Sequence, residues 1–221
     1  MKKIVLFKNI LIAVFTAAIS LSSLNSVAEE SDTSKLQSLL KQMSSIKARF
    51  VQHSFDGKGG LLQTLEGELM AKAPGKFKWK TEPPYEQLMV TNGETLWLYD
   101  EDLEQVTVQA LDKRVEATPA LLLTGELDQI NQAYEVFAEQ LQEEWHFVLL
   151  PKTPDALFDR LRLEFDENKS LKRMIIKDEI GQKTILSFSK VQHNLNIANK
   201  DFDFVPPEGV DVISQGDMGL Q

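Results

Sequence analysis

The chain of 221 residues has no cysteine. That excludes disulfide staples, thiol nucleophiles and thiolate metal sites. It also excludes the cysteine-linked lipid anchor that a bacterial lipoprotein carries just after its signal. Histidine is scarce as well. His53, His146 and His193 stand far apart, each in a strand-like run and none with a ligand-spaced partner, so no metal site is expected. The chain has no Gly-x-Ser-x-Gly elbow and no glycine loop of the kind that cradles phosphate. Carboxylates are plentiful, 33 acids against 24 Lys and Arg for a net charge of −9. Asp100/Asp102 or Glu143/Glu144 could be drawn as glycosidase pairs, but in so acidic a chain such corners read first as solvated turns. The negative balance argues against nucleic acid and against anionic membrane surfaces. Neither an enzyme nor a cofactor is expected.

Long apolar runs are also missing, with one exception at the N-terminus. Lys2, Lys3 and Lys8 form a basic stretch, Ile10 to Leu24 an apolar one, and Ser26-Val27-Ala28 a small-residue cleavage site. This is the pattern of a Sec-type secretory signal. As a membrane anchor the run is short, and the cleavage site follows it at once. Cleavage after Ala28 leaves residues 29–221 as a single domain, removes three lysines and takes the formal charge from −9 to −12. The expected location is the periplasm or beyond.

What the remaining chain does have is alternation. Lys76 to Lys80 places Phe77 and Trp79 on one face and three lysines on the other, the mark of a strand with one wet and one apolar face. Leu65 to Leu111 reads as five strands: 66–72, 76–80, 87–90, 96–100 and 105–108. Asn92-Gly93 is the strongest hairpin signal among them. Before them, Leu36, Leu39, Leu40, Met43 and Ile46 recur at helical spacing behind a Ser34/Gln37 capping box, and Ala48 to Phe55 reads as a first strand. After them, Thr118 to Gly125 reads as a very short apolar helix with Pro119 at its first position. On the residues alone it is more naturally a plug than a lid. Leu127 to Tyr134 continues it. Five further strands follow: 134–140, 145–150, 160–165, 171–176 and 184–188. Phe202 to Val210 closes the domain. The expected fold is mainly β (α+β): an unclosed antiparallel β-barrel of about ten to eleven strands, its apolar face covered by short helices.

Six segments of this reading resemble one family. Phe50-Val51-Gln52, Lys72 to Trp79, Asn92 to Asp100, Leu103 to Thr107, Thr118-Pro119-Ala120 and Phe204 to Val210 are similar, in the same order, to the LolA-type outer-membrane lipoprotein carrier proteins. The resemblance implies a periplasmic chaperone without enzymatic activity. Such a protein takes triacylated lipoproteins from the LolCDE inner-membrane ABC transporter and hands them to the LolB outer-membrane receptor. LolB is the nearest relative in fold, but it is itself a lipoprotein and so is excluded here by the missing cysteine. The resemblance implies a monomer with an acyl-chain cavity and lid formed by Leu36, Leu40, Met43, Phe50, Trp79, Leu88, Val90, Leu121, Leu122 and Leu123. It puts Phe77 at the partner-facing rim, and it turns the short helix at Pro119 from plug into lid.

One position departs from the family. Many members carry an arginine before the proline of the Lys72 to Trp79 motif, bonded to lid carbonyls. Here that residue is Ala73, which has no donor, and alternation sends Lys72 to the opposite face. The lid is therefore expected to be latched differently or more weakly. Two other functions fit a greasy half-barrel: a periplasmic binder of free fatty acid, glycolipid or another amphiphile, and an enzyme acting on lipids. The second lacks any evident acid, base or nucleophile.

Overall fold

Each alternating run of the sequence is a strand in the computed structural model, which describes residues 30–112, 119–124, 127–154 and 156–214. The signal segment, Thr118 and Gly125 lie outside the described residues. Helix α1 spans Asp32–Lys41. The strands are β1 (Ser45–Phe55), β2 (Leu61–Lys72), β3 (Lys76–Thr81), β4 (Gln87–Asn92), β5 (Thr95–Asp100) and β6 (Gln105–Ala110). A 3-10 turn at Pro119–Thr124, another at Leu127–Gln129 and a short helix α2 (Ile130–Ala133) come next. Then follow β7 (Tyr134–Leu141), β8 (Glu144–Pro151), β9 (Arg160–Phe165), β10 (Leu171–Lys177), β11 (Lys183–His193), a 3-10 turn at Asn199–Phe202 and β12 (Asp211–Ser214).

The strands form one sheet in the order β12-β6-β5-β4-β3-β2-β1-β11-β10-β9-β8-β7. Its two ends do not pair with each other, so the strongly curved sheet is an unclosed barrel. Eleven strands are antiparallel to their neighbours, as the alternation predicts. The twelfth, β12, has no counterpart in the sequence pattern, and it pairs parallel to β6. A parallel neighbour needs a long return path, which residues 194–210 supply by crossing the outside of the sheet.

Helix α1 starts and stops earlier than its apolar spacing suggests. Its cap is Ser31, whose Oγ accepts the Ser34 N–H at 3.2 Å. Ser34 is therefore inside the helix, and Gln37 is released from the capping-box role that its spacing suggests. Asp32 in the first turn and Lys41 in the last complement the helix dipole. Ile46 continues the helical spacing by coincidence and belongs to β1.

Cross-strand register sorts every residue to one of two faces. Phe50, Gly67 and Thr81 share a row, as do Leu69, Trp79 and Met89, and Ala71, Phe77 and Thr91. These rows form the inner face, onto which Leu36, Leu39 and Leu40 of α1 and Leu121, Leu122, Leu123, Leu127 and Ile130 pack. Gly67 is needed here. A Cβ on it would come within 2.6 Å of the Phe50 ring and 2.0 Å of the Lys80 carbonyl oxygen. Its absence lets the Phe50 ring sit against the strand and meet Trp79 in a tilted contact at 4.1 Å between centroids.

Candidate functional site

The inner face of the sheet is an apolar surface assembled from both halves of the chain. Phe50, Leu69, Phe77, Phe147, Leu149, Leu161, Leu163 and Leu186 are buried together there, with Trp79, Met89 and Phe188 packed at the margin. In this conformation residues 119–124 and 127–133 fill it. Leu121, Leu122 and Ile130 are fully buried, and Leu123 and Leu127 nearly so. An open depression of about 220 Å³, lined by Lys47, Glu68, Leu69, Met70, Lys78 and Lys80, lies over the outer side of β1 to β3. Its lysine-rich lining makes it a poor seat for acyl chains, so the inner face remains the candidate site.

Leu36, Leu40, Met43, Phe50, Trp79, Leu121, Leu122 and Leu123 all belong to this inner cluster or pack against it. Leu88 and Val90 do not. They pair with Lys80 and Lys78 across β3, so they share the lysine face outside, and the inward residues of β4 are Met89 and Thr91. The run Leu88-Met89-Val90 is apolar at three consecutive positions and conceals its alternation. Both faces of β4 are apolar because the returning tail covers the outer one. The turn Asn199–Phe202 packs on β3 and β4, and Phe204 makes tilted ring contacts with Trp97 and Tyr99.

Phe77 stands one residue into β3 from the β2–β3 turn, at the end of the sheet, yet its side chain is 0% exposed. With the segment at 119–124 in place it presents no surface to a partner. Ala73 offers only its backbone N–H, which donates to the Ser44 carbonyl at 3.0 Å. Lys72 points outward as alternation requires, donating to the Ile197 carbonyl at 2.7 Å and to Asn199 Oδ1 at 2.9 Å. Four other contacts tie the covering segment down, two of them from Lys152, whose Nζ donates to the Asn131 carbonyl at 2.8 Å and whose backbone N–H donates to the Ala133 carbonyl at 2.9 Å. The Gly75 N–H donates to the Thr124 carbonyl at 3.3 Å. Gln37 Nε2 on α1 donates to the Leu127 carbonyl at 2.8 Å, a role that nothing in the sequence singled out.

Helix α1 is fixed in turn. Asp32 Oδ2 accepts the N–H of Ala138 on edge strand β7 at 2.9 Å, and Lys35 bonds Oδ1 at 3.1 Å. The hydrogen bond from Ala138, helped by Lys35, holds the Asp32 carboxyl below its ordinary value of 3.8.

One member of each acidic pair has a structural partner. Asp100 caps its turn by accepting the Leu103 N–H and also bonds Gln87. Glu144 is paired with Lys172 and His146, which hold its carboxyl below the usual range. Glu164, 2% exposed, sits between Arg162 and Arg173. Among the described residues no three His, Asp or Glu side chains gather as metal ligands.

A sequence profile described as "Outer membrane lipoprotein carrier protein LolA" matches residues 41–205. The chain belongs to the LolA family. It is 42% identical to the outer-membrane lipoprotein carrier protein of Azotobacter vinelandii over 210 residues, 95% of this chain and 99% of that one. Against the Pseudomonas aeruginosa protein of the same name the identity is 43%, covering 91% and 97%. A solved structure of a conserved protein from Thermus thermophilus, at 12% identity and a TM-score of 0.54, shares the fold over 84% of this chain and all of its own. The LolA match runs from the last residue of α1 through β1 to β11 and on to Val205, just past Phe204. It therefore includes both the inner face and the segment that covers it.

Proposed function

We propose that the chain is a periplasmic carrier that binds the acyl chains of lipoproteins on the inner face of its half-barrel, with residues 119–124 and 127–133 as a displaceable lid. The observation that carries this reading is the lid itself. It is made of two 3-10 turns and a four-residue helix, too short to be stable alone, yet it buries five large aliphatic side chains on the sheet. Its stability comes from the surface it covers, so another apolar occupant can replace it.

The magnitudes allow exchange. Burying Leu121, Leu122, Leu123, Leu127 and Ile130 stabilises the closed form by about 10 kcal/mol. Roughly a dozen acyl methylenes at about 0.8 kcal/mol each match that. One chain of ordinary length can thus offset lid displacement, and further chains supply net affinity. Lid displacement offsets part of the acyl-chain burial and lowers the net affinity, which favours release by a carrier working without a nucleotide.

The proposed cargo is triacylated lipoprotein, the proposed donor the LolCDE transporter and the proposed acceptor LolB, with the carrier acting as a monomer. No step in this cycle needs a catalytic group, and Asp100 and Glu144 are engaged in structural contacts. Native mass spectrometry of the protein taken from periplasm tests the reading. Intact lipoproteins in the complex are expected. Free fatty acid or glycolipid alone would favour the amphiphile binder, and depletion of the protein without inner-membrane accumulation of lipoproteins would overturn the carrier role.

A further inference from the structure

The lid is tied by very few polar contacts. Among the described residues, two side chains from outside it bond its backbone: Gln37, whose Nε2 donates to the Leu127 carbonyl at 2.8 Å, and Lys152, whose Nζ donates to the Asn131 carbonyl at 2.8 Å close to where the lid runs into β7. The remaining ties are between backbones, Gly75 N–H to Thr124 C=O and, beside β7, Lys152 N–H to Ala133 C=O. The Thr124 hydroxyl turns back onto the Leu121 carbonyl inside the lid. Leu127 lies at the junction of the two lid turns, and its side chain is 5% exposed. A carbonyl drawn into such a position needs a donor.

Gln37 is placed to be that donor. It follows Leu36, which is fully buried in the core, so its Cα is fixed by packing. The helix that bears it is held to edge strand β7 through Asp32. The donor therefore stands on a rigid element and the acceptor on a displaceable one. We propose that Gln37 is the lid latch, a positioning residue that favours the closed, cargo-free state and so weakens acyl-chain binding by a set amount. The inference rests on the carrier reading and names the residue that tunes it. Because the amide is neutral, the latch keeps its strength as salt rises, unlike an ion pair.

The test uses the mature, lipid-free protein with the apolar dye bis-ANS as probe, comparing Gln37→Leu, Gln37→Arg and wild type. Hydrogen exchange is followed in segments 121–124 and 127–133 and in β1 and β2. In Gln37→Leu the lid amides are expected to exchange about fivefold faster, with β1 and β2 unchanged, and bis-ANS to bind tighter by a similar factor. The effect should be equal at low and high salt. Gln37→Arg, which keeps N–H donors, should stay near wild type. Unchanged lid exchange in Gln37→Leu overturns the proposal. So does faster exchange spread evenly through β1 and β2, which marks a general loss of stability. So does faster lid exchange without tighter dye binding. Failure of the carrier reading looks different: lid exchange would respond to Gln37→Leu while lipoprotein never binds to either form.

Discussion

At the scale of single residues, two positions decide more than their size suggests. Gly67 allows the Phe50 ring to rest on β2, and through it the contact with Trp79. Gly67→Ala places a methyl group 2.0 Å from a backbone oxygen that cannot rotate away, so the sheet itself must shift. A loss of about 2–3 kcal/mol in unfolding free energy is expected, read from the urea midpoint; a change below about 0.5 kcal/mol would mean that the strands yield more easily than the contact implies. Asp32 acts through its charge. Its carboxyl is held below 3.8 chiefly by the Ala138 N–H. A depressed folded-state pKa contributes stability that is complete above the unfolded value and is lost as pH falls through the folded one. Asp32→Asn should therefore flatten the fall in stability between about pH 4 and pH 3, measured by urea unfolding at each pH. Identical slopes for both proteins would show that Asp32 has no part in it.

Among the elements, the lid and the sheet should answer differently to the same kind of change. Leu122 and Leu163 are both fully buried. Leu163→Ala empties a site between strands that unfold together, and a global loss of about 2–5 kcal/mol is expected. Leu122→Ala weakens a segment able to open locally. Its main effect should be faster hydrogen exchange at 121–124, with a much smaller shift in the urea midpoint. Equal midpoint shifts would mean that lid and sheet are one cooperative unit. The elements are largely legible in the sequence because alternation with turn signals is a local property: all eleven antiparallel strands lie where Lys76 to Lys80 and its counterparts put them. What stays hidden depends on distant partners. Leu88 and Val90 read as inward-facing, yet they face out, because the tail that covers them comes from residues more than a hundred positions away. β12 is short and not bounded by alternation. Gln37 has the spacing of half a capping box, and nothing nearby reveals that its amide reaches Leu127.

For the whole molecule, an unclosed sheet gains an adaptable interior and retains two edges. Each edge is a row of unpaired backbone groups that invites another strand. On β7 the defence is Asp32, which takes up the Ala138 N–H. On β6 it is β12, whose four residues pair with Gln105 to Val108. β12 adds nothing to the inner cluster, since none of its residues belongs to it. It reads as a cover for the edge. Ending the chain at Val210 should therefore leave the fold and the binding of an apolar dye nearly intact while exposing β6. The shortened protein should self-associate as its concentration rises, which light scattering will detect. A chain ended at Ser214, retaining β12, should behave as the full-length protein does. The edge argument fails if both shortened forms scatter alike. Loss of dye binding together with the fold in the Val210 form would show instead that β12 holds the half-barrel in shape, and that the curvature of the sheet depends on its last strand.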